Sequence, residues 1–358
     1  MKYIDEFRDN ALVRALSEAI RRKSKQNIRL MEVCGGHTMA IRKYGIQQLL
    51  PDTIELLSGP GCPVCVTDRT AIDRSISLAG LPEVIITTYG DLMRVPGTAS
   101  SLDQEKASGA DVRIVYSTLD ALEIAKLNKQ KKVVFLGIGF ETTTPSSAVA
   151  ILEAHRQKVS NFYLLSMHKL MPPAMAALID QGVCINGYIG PGHVTAIAGA
   201  DMYKTLVENY RISIVISGFE PVDLLQSIYM LVSMAEEQRF GTEIQYRRAV
   251  TKTGNIKANE MVDSVFEPAD DSWRGLGMIP RSGLKIRNTY RQYDAALQFD
   301  IPVLPSYEPA GCMCGEVLRG MKKPAQCGLF GKVCTPVNPI GACMVSGEGA
   351  CQAYYNYR

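Results

Sequence analysis

Eight short apolar runs, most of them followed by a stretch with helical spacing, set the limits on what this chain can fold into. The strand candidates are Ile28–Val33, Ile54–Leu57, Val84–Thr88, Val112–Tyr116, Val133–Gly137, Phe162–Ser166, Gly187–Ile189 and Ile212–Ser217. Between most of them lie helical patterns at Arg69–Ala79, Leu119–Leu127, Ser146–Arg156, Ala174–Asp180, Ala200–Glu208 and Val222–Arg239. Parallel strands need a long crossover, and helices then cover both faces of the sheet. Apolar strands alternating with helices therefore predict doubly wound parallel α/β sheets. Residues 3–24 predict a leading helix, with Ile4, Phe7, Leu12, Leu16 and Ile20 near helical spacing.

Eight strands divide into two sheets, and the basic stretch Asn128–Lys132 is the expected seam between them. The organisation expected is an N-terminal helix with the Cys34 loop (1–50), a first α/β domain (51–128), a second (129–240) and a cysteine-rich unit (241–358). From about Gly241 the rhythm fails, Pro and Gly become frequent, and six of the ten cysteines follow.

The net charge of +3 gives no electrostatic footprint for nucleic acid or for a polybasic membrane contact. The longest apolar stretches, such as Val133–Phe140, fall far short of the ~20 residues that cross a bilayer. The N-terminal residues are charged, with no apolar signal core, so a cytoplasmic, reducing location is expected. In that setting clustered cysteines read as metal ligands or redox thiols rather than structural disulfides. There is no G-x-x-x-x-G-K-[ST] and no dinucleotide fingerprint after the first strand, so ATP or NAD binding has no support.

Cys312, Cys314, Cys327, Cys334, Cys343 and Cys351 sit among Gly and Pro in loop-like sequence, which needs a staple to stay ordered. Structural zinc sites pair their cysteines in short knuckles. Here the intervening intervals are 1, 12, 6, 8 and 7 residues. Separate loops suit a cubane iron–sulfur cluster better, with zinc and unliganded buried thiols as the alternatives. The expected ligands are Cys312, Cys327, Cys334 and Cys351, with Cys314 and Cys343 as spares.

Cys34, in MEVCGGHT, follows an apolar strand. Gly35 and Gly36 let a ligand approach closely, and His37 is within reach. It reads as a reactive thiol or a soft iron ligand, the plainer alternative being a buried cysteine in a turn. Cys62 and Cys65, in GPGCPVCVTD, form a C-x-x-C pair at a helix start, where the helix N-terminus stabilises a thiolate. A redox dithiol is the favoured reading and half of a metal site the other. Cys184 reads as inert core and His155 as a surface residue on a helix.

Five further loops repeat one layout, an apolar strand followed by Gly and polar groups. They hold Tyr89-Gly90-Asp91, Gly139 to Pro145 with Glu141, Met167-His168-Lys169, Gly190-Pro191-Gly192-His193 and Gly218-Phe219-Glu220-Pro221. All open at the carboxyl edges of strands, around one cleft if the sheets face each other. Each also has a plain account: Glu141 or Glu220 as a helix cap, His193 as a satisfied core histidine.

MEVCGGHTMAIRKYGI, GPGCPVCVT, TYGDLMRVPG, GFETTTPS, MHKLMPPAM, GPGHV, SGFEPVDLL and the tail CMCGEVLRG, CGLFGKVCTP and CMVSGEGAC resemble, in order, the HypD family of NiFe-hydrogenase maturation factors. The likeness runs from about Arg29 to the C-terminus. It implies two Rossmann-like parallel-sheet domains plus a C-terminal iron–sulfur cluster domain. It also implies a scaffold role with the small protein HypC, on which iron receives two cyanides and one carbon monoxide. Cyanide arrives from HypE as a thiocyanate, and the finished Fe(CN)2CO group passes toward the hydrogenase large subunit.

By this resemblance Cys34 is the iron-binding thiol, shared with a cysteine of HypC. Cys62 and Cys65 are the redox pair, and the tail binds a 4Fe-4S cluster. His37 is expected to orient the iron ligands. Asp91, Glu141, His193 and Glu220 are expected to line the cleft, tuning protonation or donating hydrogen bonds to cyanide nitrogens. The rival reading is a free-standing iron–sulfur thiol–disulfide reductase; a zinc-stapled binding protein is a third.

Overall fold

The structure is a computed structural model and describes residues 5–301 and 305–357. The leading helix α1 is Asn10–Lys23. Asp9 caps it, its carboxylate accepting from the Ala11 and Leu12 amides at 2.7 and 3.0 Å. The expected helix starts too early, because Asp9 draws the first turn to itself and Asp5–Phe7 form a separate 3-10 turn.

All eight anticipated strands are present: β1 Ile28–Glu32, β2 Ile54–Ser58, β3 Val84–Thr88, β4 Val112–Ile114, β5 Lys132–Gly139, β6 Phe162–His168, β7 Gly187–Pro191 and β8 Ser213–Ser217. They form two wholly parallel sheets. One has the order β2-β1-β7-β8-β9, where β9 is Gly241–Ile244, and the other β4-β3-β5-β6. β3, β7 and β8 are buried along their whole length, as strands covered on both faces must be.

The division of the chain between the sheets differs from the expected one. Lys132 opens β5, which pairs with β3 from Val84↔Lys132 to Thr87↔Phe135, so the basic stretch lies within one sheet and not at a seam. β1 uses one edge for β2 and the other for β7, Leu30↔Gly187 to Glu32↔Ile189. The four-stranded sheet is thus inserted between β2 and β7. The alternating pattern shows where strands are and not which edge each one takes.

The first part of the supposed tail also belongs to the α/β body. β9 extends the first sheet. β10 Phe266–Trp273 and β11 Gly277–Ile286 form an antiparallel hairpin. It packs beside the second sheet, with the Ser166 hydroxyl donating to the Leu284 carbonyl at 2.5 Å and the Leu170 amide to the Ser282 carbonyl at 2.8 Å. FEPADDSW conceals its strand character behind a proline and two aspartates. Residues 305–357 make a compact unit of short helices and turns that carries the six late cysteines.

In an open parallel sheet, sites form where the strand order reverses, outside the carboxyl ends. The first sheet reverses between β1 and β7, and the second between β3 and β5. Cys34 and His193 follow the first pair; Asp91 and Glu141 follow the second. One continuous apolar core holds Met31, Cys62, Cys65, Val134, Cys314, Cys343 and Cys351, so the two sheets and the late unit meet at one place.

Candidate metal and thiol site

The helix α2, Gly35–Lys43, begins directly after Cys34, the residue at its N-cap. Cys34 is 1% exposed. Its backbone is pinned from two sides. Its amide donates to Glu32 Oε2 at 3.0 Å, and the Gly35 amide donates to the Gly61 carbonyl at 3.0 Å. A Cβ at Gly61 would fall on the Cys34 amide, so the two loops touch backbone to backbone. That contact sets the C-P-V-C segment beside Cys34.

His193 Nδ1 stands 3.7 Å from Cys34 Sγ. The Phe219 ring packs against both histidines, with centroids 4.7 Å from His37 and 5.4 Å from His193. His37 is fully buried and its Nε2 is 3.1 Å from the Gly218 carbonyl. The imidazole nitrogen at the sulfur is therefore that of His193, while His37 braces Phe219 from behind. Burial, then the charge of His193, lowers His37 to about 4; burial also lowers His193. Both rings are neutral at pH 7.

Burial pushes the Cys34 thiol up, and the nearby Glu348 carboxylate adds to it. Glu32, 1% exposed, is raised to about 8 by burial, against hydrogen bonds from Thr38, the Cys34 amide and Ser58. Cys34 is thus held as a protonated, buried thiol.

Cys62 and Cys65 are joined as a disulfide, with Cα atoms 5.2 Å apart, at the start of the short helix Pro63–Val66. They are 3% and 0% exposed. Cys65 Sγ lies 3.9 Å from the carbonyl oxygen of Ala342, the neighbour of Cys343. The pair therefore stands between Cys34 and the late thiols.

Glu141 turns its Oε1 to the Met171 amide at 2.9 Å and leaves Oε2 buried with no partner among the described residues; burial raises it to about 7. Tyr203 is fully buried. Burial pushes its phenol up against a hydrogen bond with the Thr195 hydroxyl at 3.2 Å, and the charges of Glu141 and Cys34 add to the rise. Asp91 accepts from the Ser346 hydroxyl at 2.6 Å and so holds the loop whose Glu348 covers Gly35. Glu220 is drawn away. It pairs with Arg8 Nε at 2.5 Å and Nη2 at 2.8 Å, and Tyr44 donates to it at 3.4 Å, all on the N-terminal segment.

His168 is core, its Nε2 2.9 Å from the Ser147 hydroxyl. Lys169 is paired with Asp271 at 2.7 Å. Cys184 is not core: Gly182, at φ +78°, ends the preceding helix and the turn carries the thiol into solvent. His155 is exposed, as expected, and meets Tyr290 edge-on. Sequence reasoning passed over Glu32, Tyr203 and Glu348. Only Glu32, a charge ending an apolar strand, gives a local signal.

Cys312, Cys314, Cys327, Cys334 and Cys351 line one pocket with Met313, Val317, Leu329, Phe330, Gly341 and Met344. The four expected ligands are among them. Cys343, fully buried, donates its amide to Cys314 Sγ at 3.3 Å, and the Ile340 amide donates to Cys334 Sγ at 3.4 Å. Hydrogen bonds with Cys314 and Cys351 push the Cys343 thiol up, while those from Cys314 and Cys343 bring Cys351 down. Soft donors from separate loops, an apolar lining and amides aimed at sulfur suit an iron–sulfur cluster. Among the described residues no three His, Cys, Asp or Glu side chains are placed as a site for a single ion.

A family model for HypD, described as the hydrogenase formation hypA family, matches residues 11–358. The chain belongs to the HypD family. It is 48% identical to hydrogenase maturation factor HypD2 of Bradyrhizobium diazoefficiens, over all of this chain and 97% of that protein. Identity is 46% to the HypD of Cupriavidus necator, over all of this chain and 97% of that one. It is 44% to the HypD of Escherichia coli K12, over all of this chain and 98% of that one. Among the described residues no helix is long and apolar enough to cross a membrane.

Proposed function

We propose that this chain acts in hydrogenase maturation as the scaffold, with HypC, on which an iron ion receives its cyanide and carbon monoxide ligands. HypE is the transient source of cyanide and the hydrogenase large subunit the destination. The observation that carries the reading is the row Cys34, Cys62–Cys65, late thiols, held in register by the Gly61 contact at one end and the Cys65–Ala342 contact at the other.

The iron is cargo. Its arrival displaces the proton that burial keeps on Cys34, and neutral His193, 3.7 Å away, is placed to accept it. A thiolate is a soft donor suited to iron that carries cyanide and carbon monoxide. Glu141, which follows β5 and keeps a buried carboxylate oxygen, and buried Tyr203 are further hydrogen-bonding groups for the bound ligands.

Release of cyanide from a protein thiocyanate takes two electrons. The reduced pair supplies them: two thiols and one thiocyanate give one disulfide, one thiol on the donor protein and one HCN. Cys312, Cys327, Cys334 and Cys351, with Cys314 and Cys343 alongside, would hold a 4Fe-4S cluster, which supplies single electrons when bound.

The rival reductase reading would turn the same buried pair on a protein disulfide instead of a thiocyanate, and the two readings part at the diatomic ligands that only the scaffold holds. The test is infrared spectroscopy on the anaerobically purified chain co-expressed with HypC. Bands from iron-bound CN and CO that vanish in Cys34→Ala support the scaffold. A blank spectrum in protein that still contains iron and sulfide refutes it.

A further inference from the structure

Two buried arginines stand at the C-terminal end of the C-P-V-C helix, and the chemistry above uses neither. Arg274 is 3% exposed and Arg69 8%. Arg274 directly follows β10. Its backbone amide donates to the Val66 carbonyl at 2.8 Å and its Nε to the Cys65 carbonyl at 3.0 Å. Its Nη1 pairs with Glu308, and its Nη2 is buried with no partner among the described residues. The next residue, Gly275, has φ +79° and lies directly on the backbone of Gly315, one residue past Cys314. The segment Arg274–Gly275 thus joins the C-P-V-C helix to the backbone beside Cys314.

Arg69 stands at the same end of that helix, three residues past Val66. It donates to the Tyr307 carbonyl at 2.6 Å and the Pro96 carbonyl at 3.3 Å, and its Nε has no partner among the described residues. Burial and the charge of Arg274 lower it, while Glu308 raises it. Glu308, half exposed, is the carboxylate that both arginines feel. Asp73 also acts on Arg69 and accepts hydrogen bonds from Thr98 and Ser306. Arg274 is thus the cation bonded directly to the backbone of a sulfur pair that becomes negative on reduction.

We propose that Arg274 tunes the Cys62–Cys65 couple: its buried guanidinium stabilises the reduced, thiolate-bearing pair and raises its midpoint potential, and Glu308 is the counter-charge that limits the effect. The inference rests on the reading of Cys62–Cys65 as a redox pair. One disulfide takes two electrons and one proton to give one thiol and one thiolate, and the thiolate is the species that a neighbouring cation favours. Under the proposed function an iron–sulfur centre provides the electrons; in the test, dithiothreitol does.

The full-length protein, purified anaerobically, is equilibrated in dithiothreitol buffers of graded ratio, quenched in acid and alkylated. The reduced fraction of the Cys62–Cys65 peptide is then read by mass spectrometry. Arg274→Gln is expected to lower the reduced-to-oxidised ratio about tenfold at a fixed buffer, a midpoint about 30 mV more negative. Arg274→Lys keeps the charge but not the fork, and its ratio is expected between those of Arg274→Gln and the parent. Glu308→Gln is expected to move the ratio the other way, a sign that a purely structural role for the ion pair does not give.

A parent-like ratio in Arg274→Gln overturns the proposal, as does a Glu308→Gln shift in the same direction as Arg274→Gln. If Arg274→Gln does not fold, Glu308→Gln decides alone, and an unmoved ratio there refutes the idea. If no buffer yields a disulfide at this peptide, the redox-pair reading itself fails, and the tuning role fails with it.

Discussion

Gly61→Ala tests the contact on which the whole arrangement turns. The new methyl would lie on the Cys34 amide and close to Cys34 Cα and the Val33 carbonyl carbon, all of them backbone. No side chain can swing aside. Ordinary carbon contacts need about 3.5 Å, so the C-P-V-C loop must retreat from the Cys34 loop by more than about 1 Å. The hydrogen bond from the Gly35 amide to the Gly61 carbonyl, 3.0 Å, is then stretched past useful length. Overpacking costs about 1–3 kcal/mol, and the lost hydrogen bond about 1 kcal/mol. A loss of about 2–4 kcal/mol with a urea slope of about 3 kcal/mol/M lowers the unfolding midpoint by about 1 M. The functional cost is of the same size, because an error of about 1 Å in a reacting pair is worth about a hundredfold in rate, about 2.7 kcal/mol. The assay is urea unfolding followed by fluorescence, with infrared spectra of the HypC co-purified protein beside it. A midpoint within about 0.2 M of the parent, with undiminished CN and CO bands, refutes the claim that these two backbones are locked together.

Gly35→Ala strikes the docking of the late unit, since the methyl meets the Glu348 backbone; limited proteolysis should cut within 305–357 faster than in the parent, and unchanged cutting rates would refute that. Iodoacetamide should label exposed Cys184 well before buried Cys34, by at least about tenfold, as read by mass spectrometry; equal rates would contradict the burial of Cys34. Glu141 sits near 7 in the folded chain against 4.5 in an ordinary setting, so it lowers stability as pH rises from about 4.5 to 7. Glu141→Gln should flatten that limb in urea midpoints measured against pH, and an unaltered slope would show the carboxyl is not buried as described. His168 has the opposite sense: held near 4 against 6.5, it lowers stability as pH falls from about 6.5 to 4, and His168→Gln should remove that acid limb from the same titration.

The strands were legible because an apolar run between helical stretches has few other uses. All eight, β1 to β8, stand within a few residues of where the pattern puts them. Their grouping was not legible. Pairing depends on which edge of β1 stays open after β2 has taken the other, and no local pattern encodes that. β10 and β11 escaped for a different reason. Their sequence alternates only in part, and the pairing that makes them strands is supplied by each other and by the Ser166–Leu284 and Leu170–Ser282 contacts. Among the site residues, Cys34 and the C-P-V-C pair announced themselves by glycine, proline and spacing. Arg274 gave no sign, since its role comes from lying against a helix more than two hundred residues earlier. Glu220 shows the converse: its loop resembled the others, yet Arg8 claims the carboxylate.

The order of the chain explains why the thiols fall in a row. Cys34 must follow β1 and His193 must follow β7, because only the carboxyl ends of these two neighbours open on the same crevice. The chain leaves the first sheet after β2, and the segment that carries it across to the second sheet is GPGCPVC. A crossover at that point runs beside the β1 loop, so Cys62 and Cys65 are brought to Cys34 by topology as much as by packing. The late unit then needs only to close over the same junction. It does so with Glu348 over Gly35, Ser346 on Asp91 and Ala342 beside Cys65. Each of those contacts comes from the segment 342–348, which contains Cys343 and ends three residues before Cys351. The late thiols, the Cys62–Cys65 pair and the cover of Cys34 are therefore tied together through one short segment.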